Sequence, residues 1–239
     1  LEAVVRVGST VRKTATVAAA SVEALLEHLG DVGFSGAPRS LGRDESGRHI
    51  LEYIPGKMAD TLPPLTASEL RRLGRLIREL HDASASFQPS PAAQWHVVIA
   101  PDRGELICHH DLAPWNLVRD GDRWVFIDWD GAGPGSRLWD LAYAAHGFVP
   151  LHAGGDPVQD GPRLRALADG YGLDEQQRQA FPALIAAHTR GMYDLLHESS
   201  LTGEQPWAGL YAEGHGAHWG PAADYIEAHL ERWTASLLD

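Results

Sequence analysis

The sequence predicts an α+β fold, because strand signals come first along the chain and helical signals later. Two short alternating runs, Val4-Val5-Arg6-Val7 and Thr10-Val11-Arg12-Lys13, open the chain, and apolar stripes of helical period dominate it after Thr66. Length is the third observation: 239 residues are enough for a large buried core, in one domain or two.

Composition narrows the classes of function. A formal net charge of −12 argues against a nucleic-acid partner; it fits a cationic small substrate and, equally, simple solubility. Cys108 is the single cysteine, so no intramolecular disulfide can form, in keeping with a reducing, cytoplasmic location. It follows apolar Ile107 and reads as a packed hydrophobe, not a nucleophile. No stretch is apolar enough to span a membrane, and the N-terminus shows no signal-peptide pattern. Nothing in the residues speaks to oligomeric state.

Taken in order, the first two strands are joined by Gly8-Ser9, a fair hairpin turn. Period-two alternation puts Val11 and Lys13 on one face, Thr10 and Arg12 on the other. Ser21 is expected to cap a helix from Val22 to about Leu29, in which Val22, Leu25, Leu26 and Leu29 form an apolar stripe. Residues 33–48, rich in Gly, Ser and Asp, read as loop and turn. His49 to Ile54 reads as a buried strand stopped by Pro55-Gly56. Thr66-Ala67-Ser68-Glu69 is a capping box opening a helix with Leu70, Leu73, Ile77 and Leu80 on one stripe; His81, near its end, packs or caps.

Next come Leu117-Val118 and Trp124 to Ile127, short apolar runs joined by Arg119 to Arg123, with Asp120-Gly121 as the hairpin signal. Closing that hairpin brings Asn116 next to Asp128, with Asp111 just upstream. A carboxylate, a carboxamide and a second carboxylate at one spot suit phosphoryl transfer from a nucleotide. That reaction needs metal ions to neutralise phosphate charge and a group to orient the attacking hydroxyl and accept its proton. Asn116 and Asp128 offer the hard oxygens that Mg²⁺ takes, and Asp111 is the candidate base. Residues 131–135 are expected to be irregular, and a helical run follows Asp140. Pro162 is expected to start a helix to about Gly170, and Asp174 to cap a longer one that Pro182 kinks or breaks. Residues 198–220 read as loop, and Pro221 as the start of a last helix with Ile226, Leu230, Trp233 and Leu237 on one face.

The stretch His109-His110-Asp111-Leu112-Ala113-Pro114-Trp115-Asn116 resembles the His-Gly-Asp-x-x-x-x-Asn loop of the aminoglycoside phosphotransferase and choline kinase family. Ile127-Asp128-Trp129-Asp130, followed by Asp140-Leu141-Ala142, resembles that family's metal-binding segment. Trp129-Asp130 stands where protein kinases have Phe-Gly, which favours the small-molecule kinases; His110 stands where the family usually has Gly. The resemblance extends over nearly the whole chain, but its specific residues lie between Ile107 and Ala142.

The resemblance implies a two-lobed protein-kinase-like fold: residues 1–56 as a small mixed N-terminal lobe, residues 57–239 as a mostly helical lobe with the catalytic loop and acceptor site. It implies ATP, with GTP possible, and Mg²⁺ as cofactors, with the γ-phosphoryl group passing to a hydroxyl of a small molecule, a cationic amine-bearing one being a candidate. Lys13, with Arg12 as the alternative, would grip the phosphates, paired with Glu23 or Glu27. Glu52, Tyr53 and Ile54 would line the adenine pocket as the hinge, and Asp140 would steady the catalytic loop. No Gly-rich phosphate loop precedes the strands, so the N-terminal lobe is expected to be truncated in this sequence. Two rival readings remain: a non-catalytic nucleotide-binding relative, and a zinc or manganese hydrolase using His109, His110, Asp111 and Asp128. Against the hydrolase, adjacent side chains diverge on an extended chain.

Overall fold

The computed structural model of the protein describes residues 4–239, an α+β arrangement of small sheets and many helices. An antiparallel sheet contains β1 (Val5–Val7), β2 (Thr10–Lys13), β3 (Ser40–Arg43) and β4 (His49–Glu52) in the order β1-β2-β4-β3. Between β2 and β3 runs α1 (Ala19–Asp31), whose Val22, Leu25, Leu26 and Leu29 are buried as their spacing requires. A second sheet, ordered β5-β7-β8, joins β5 (Lys57–Met58) to the hairpin of β7 (Leu117–Asp120) and β8 (Arg123–Phe126). A third pairs β6 (Leu106–Cys108) with β9 (Gly133–Gly135).

The helices are α2 (Ala67–Ser84), α3 (Arg137–Phe148), α4 (Pro157–Tyr171), α5 (Glu175–Thr202), α6 (Trp207–Leu210), α7 (Gly216–Ala228) and α8 (Leu230–Leu238). The chain divides into two compact units: residues up to Pro64 with Leu76–Arg137, and Leu65–Arg75 with Leu138–Asp239. All three sheets fall in the first unit.

The capping box forms at the start of α2, where the Thr66 amide donates to Glu69 at 2.9 Å and the Glu69 amide to Thr66 Oγ1 at 3.3 Å. In the second unit α2 meets α4 at two glycines. A Cβ on Gly74 would stand 2.3 Å from the Leu167 carbonyl oxygen, and one on Gly170 would stand 2.1 Å from that of Arg71. Backbone touches backbone there, and only glycine permits it.

Several expectations need correction. Ser21 lies inside α1 instead of capping it; its Oγ accepts from the Gln94 amide at 2.9 Å. The loop read at 33–48 contains β3, an exposed edge strand without apolar alternation. Residues 133–135, expected to be irregular, form β9, because pairing with β6 uses only backbone groups. Pro162 lies inside α4, which Asp156 caps with Pro157 in its first turn. Helix α5 continues through Pro182 to Thr202. Residues 198–220 are largely helical, including a π-turn at Tyr211–His215, and α7 begins before Pro221. Glycines suppressed the helical signal in that stretch, yet packing requires two of them: the Tyr211 and Tyr193 rings lie where Cβ atoms of Gly216 and Gly220 would be. The last helical stretch breaks at His229, leaving Ile226 on α7 and Trp233 and Leu237 on α8.

Candidate active site

The site lies within the first unit and rests on the β7–β8 hairpin. Leu117 pairs with Phe126 and Asp120 with Arg123, leaving Gly121-Asp122 as a two-residue turn with Gly121 at a φ of 54°. Glycine with positive φ at the first central position is the pattern of a II′ turn, whose twist suits a hairpin. At the open end the Ile127 amide donates to the Asn116 carbonyl at 2.8 Å, which draws Asn116 and Asp128 together.

Asn116 does more than flank Asp128. Its Nδ2 donates to Asp111 Oδ2 at 2.7 Å and to the Asp111 carbonyl at 3.1 Å, so the amide fixes the carboxylate of the candidate base. Its carbonyl oxygen, the atom a hard cation takes, points away from those bonds.

His109 was given no role in the kinase reading, but it is fully buried and spans the same two segments. Its Nδ1 accepts from the Asp111 amide at 3.2 Å, which leaves the proton on Nε2, 3.1 Å from the Ile127 carbonyl. The ring lies 4.5 Å from that of Trp129, centroid to centroid. Thus one imidazole ties the backbone at Asp111 to the backbone just before Asp128. The sequence did offer a signal, a histidine two residues ahead of the base. His110 turns elsewhere: it sits at a φ of 63°, and its Nε2 lies 3.2 and 3.1 Å from the carbonyls of Gly133 and Pro134. The left-handed conformation explains why glycine suits this position, and histidine is among the residues that tolerate it. With His109 and His110 serving different backbone groups, they offer no joint metal site, which counts against the hydrolase.

Asp128 also adopts a left-handed conformation, at a φ of 61°, and begins a short 3₁₀ turn that carries Asp130. Lys13 reaches both: its Nζ lies 2.6 Å from Asp128 Oδ1 and 2.7 Å from Asp130 Oδ2. Burial disfavours the ammonium, but the two carboxylates outweigh it and hold the Lys13 pKa above its ordinary value. Arg12 points to the other face of β2, where it donates to Thr10 Oγ1 at 2.5 Å. Glu23 is not placed on Lys13; it makes a bidentate pair with Arg43 at 2.8–3.0 Å.

Lys13 and Asp128 stand at one side of a cavity of about 370 Å³. Val11, Leu51, Ile54, Met58, Val118 and Ile127 give it apolar walls, and Glu52 and Tyr53 also border it. Register explains the lining: Val11 opposes Leu51 and Lys13 opposes His49, so one face of the β2–β4 pair looks into the cavity. Of the expected hinge residues, Glu52 and Tyr53 donate their amides to the carbonyls of Arg39 and Ser9, both at 2.9 Å. The Ile54 amide makes no backbone hydrogen bond among the described residues.

An apolar-walled cavity bordered by an ammonium and two carboxylates can seat a flat base and charged phosphates. A carboxylate–carboxamide pair beside it can orient a hydroxyl. Residues 92–181 match the phosphotransferase enzyme family model. The trifolitoxin immunity protein of Rhizobium leguminosarum bv. trifolii is 34% identical over 216 residues, 84% of this chain and 82% of that protein. Among solved structures, a choline/ethanolamine kinase family protein from Mesorhizobium loti aligns over 98% of this chain and 88% of its own, with a TM-score of 0.62 at 19% identity. An amicoumacin kinase in complex with AMP-PNP and Ca²⁺ aligns over 95% of this chain and 88% of its own, with a TM-score of 0.62 at 12% identity. These structural likenesses establish a protein-kinase-like α+β fold.

Proposed function

The chain belongs to the phosphotransferase enzyme family, and from that premise we propose that it moves the γ-phosphoryl group of ATP to a hydroxyl of a small molecule. The observation that carries the reading is the juxtaposition of Lys13, Asp128 and Asp130 at the end of the cavity with the Asn116–Asp111 pair on the adjoining loop. In this reading residues 1–56 grip the nucleotide, and residues 57–239 provide the catalytic loop and the acceptor site.

The residues fit Mg²⁺ and ATP. Asp128 and Asp130 already share one positive charge, the Lys13 ammonium, so the carboxylate pair is built around a cation. Asn116 Oδ1 and Asp128 would hold Mg²⁺, which supplies neutralisation of phosphate charge. Lys13 binds phosphate oxygens, and Glu52, Tyr53 and Ile54 border the base, with the Ile54 amide as its hydrogen-bond donor. The Asp111 carboxylate, oriented by Asn116 Nδ2, accepts the proton of the attacking hydroxyl as the new bond to phosphorus forms and the bond from phosphorus to the bridging oxygen breaks, that oxygen leaving with ADP. His109 keeps both carboxylate-bearing segments in register while this happens.

The acceptor is the finer question. Asp224 and Glu227, two acids of the C-terminal third that could attract a cationic substrate, are held by Arg190 at 2.6 Å and 2.8–3.0 Å, which weakens their pull on an amine. The immunity relative is named for a toxin, so toxin-like molecules stand beside amino alcohols and antibiotics as acceptors to test. The experiment is a screen of such hydroxyl compounds with ATP and Mg²⁺, read by a phosphate mass gain and by ADP formation. The reading predicts at least one acceptor phosphorylated and nucleotide-dependent thermal stabilisation; a folded protein that binds no nucleotide would end it.

A further inference from the structure

Glu52 borders the cavity, yet its side chain is turned to the back of the sheet. Leu51 and His49 face the cavity with Val11 and Lys13, so alternation sends the Glu52 carboxylate the other way. There it meets Arg123, the first residue of β8: Arg123 Nη1 donates to Glu52 Oε1 at 3.0 Å and Nη2 to Oε2 at 3.2 Å. Two parallel bonds from a planar guanidinium fix direction as well as distance. Burial acts against the Glu52 charge, but Arg123 and the Arg39 amide outweigh it and hold the pKa below the usual carboxylate range. The carboxylate is 16% exposed and the guanidinium side chain 40%, so it is the two-bond fork, more than burial, that fixes the pair.

A few residues on, the same segment is fastened to the same hairpin again. Lys57 and Met58 pair with Arg119 and Val118, and Gly56, at a φ of 132°, lies so close that a Cβ would stand 2.6 Å from the Arg119 carbonyl oxygen. Residues 52–58 are therefore held to β7 and β8 at both ends. That hairpin also carries Asn116 and Asp128 at its open end.

We propose that Arg123 is a positioning residue for the nucleotide, its fork on Glu52 locking the base-binding segment to the hairpin that presents the metal-binding carboxylate. The inference rests on the nucleotide reading above. Its physical content is that the base end and the phosphate end of one ligand are held at a fixed separation by a rigid frame. Positioning errors of about an ångström are costly in such a site. Arg123 touches neither base nor phosphate, and it acts only through Glu52.

The test is calorimetric titration of MgATP and MgADP into the whole protein, with steady-state kinetics where the acceptor is known. Arg123→Ala should weaken nucleotide binding about tenfold, seen as a raised KM for ATP with kcat much less affected. Arg123→Lys, which keeps the charge and loses the fork, should weaken binding almost as much. The charge-swapped protein carrying Glu52→Arg and Arg123→Glu should recover part of the loss. Arg39→Ala is the control, because Arg39 reaches Glu52 only at 3.5 Å from a 72% exposed position and should leave binding unchanged. Circular dichroism and melting of each variant without nucleotide separate loss of fold from loss of binding. Unchanged nucleotide affinity in folded Arg123→Ala and Arg123→Lys would overturn the proposal and leave the phosphotransferase reading intact. A wild-type protein that binds no nucleotide would overturn both.

Discussion

Lys13 Nζ lies 2.6 Å from Asp128 Oδ1, so an internal cation sits against the carboxylate assigned to the metal. Asp130 holds the same ammonium at 2.7 Å. A second cation brought to Asp128 alone meets repulsion from Lys13, whereas one arriving with phosphates brings a new partner for the lysine. Free Mg²⁺ should therefore bind weakly, and MgATP well. Lys13→Met should reverse the first preference: Mg²⁺ affinity without nucleotide rises, while turnover falls by roughly 10²–10³-fold, the scale of losing one preorganised charge partner. Magnesium titration followed by calorimetry checks the first effect, and ADP release the second. If Lys13→Met turns over normally while Arg12→Ala does not, the face of β2 has been misassigned.

His146 supplies a pH dependence. It is buried on α3, with its ring 4.3 Å from that of Trp219, and its Nε2 lies 3.3 Å from His218 Nε2. His146 Nδ1 has no hydrogen-bond partner, so a proton is better placed on Nε2, donating to His218. Burial pushes the His146 pKa down to about 3, with the charges of His218 and His188 adding to the effect. The unfolded imidazole titrates near ~6.5, so between those values the unfolded chain binds more protons than the folded one. Stability is fully present above pH ~6.5 and drains away as the pH falls through that window. His146→Gln should flatten this acid limb in urea unfolding at a series of pH values. An acid limb of unchanged slope would show that other groups carry it.

The contact of α2 with α4 yields a stability prediction. Gly170→Ala would put a methyl group 2.1 Å from the Arg71 carbonyl oxygen, with helix backbone on both sides and no flexible side chain to move away. Overpacking of this kind costs about 1–3 kcal/mol. Urea melts should show a lower midpoint, and a midpoint equal to the wild type would mean that the helices separate freely. Gly30→Ala is the comparison, since nothing lies within 4 Å of a Cβ there.

What could be read in advance follows from where the information lies. The approach of Asp111, Asn116 and Asp128 to one another was legible because a hairpin fixes their spacing. The stripe of α1 and the capping box of α2 were legible from local spacing too. Strands β3 and β9 were not, since neither Ser40–Arg43 nor Gly133–Gly135 carries apolar alternation. The helical turns at 207–220 were hidden by glycines that packing against Tyr193 and Tyr211 demands. Partner choice was also hidden: Glu23 could have met Lys13 or Arg43, and only the fold sets Arg43 beside it. Arg123 is the clearest case, because a residue just after a hairpin turn gives no sign that it will grip a carboxylate 71 positions away.

Asp111 is the residue on which the proposed mechanism turns. Its carboxylate accepts a 2.7 Å bond from Asn116, and its amide donates to His109 Nδ1 at 3.2 Å, so both side chain and backbone are fixed. A carboxylate with an ordinary pKa near ~3.9 is a weak base toward a ground-state hydroxyl. In a loose transition state, however, the hydroxyl becomes acidic only late, so orientation counts for more than basicity. Asparagine keeps the size and can still accept one hydrogen bond, but it cannot take the proton. Positioned acid–base catalysis contributes about 10²–10⁴-fold, and Asp111→Asn should lower kcat by that range. Nucleotide affinity should hardly change, because the proposed mechanism gives Asp111 to the acceptor and leaves the nucleotide to Lys13, Asp128 and the Ile54 segment. Calorimetry with MgATP and phosphorylation of the acceptor at saturation measure the two separately. Near-normal kcat in folded Asp111→Asn would remove the base from the mechanism, and loss of MgATP binding instead would make Asp111 a metal ligand.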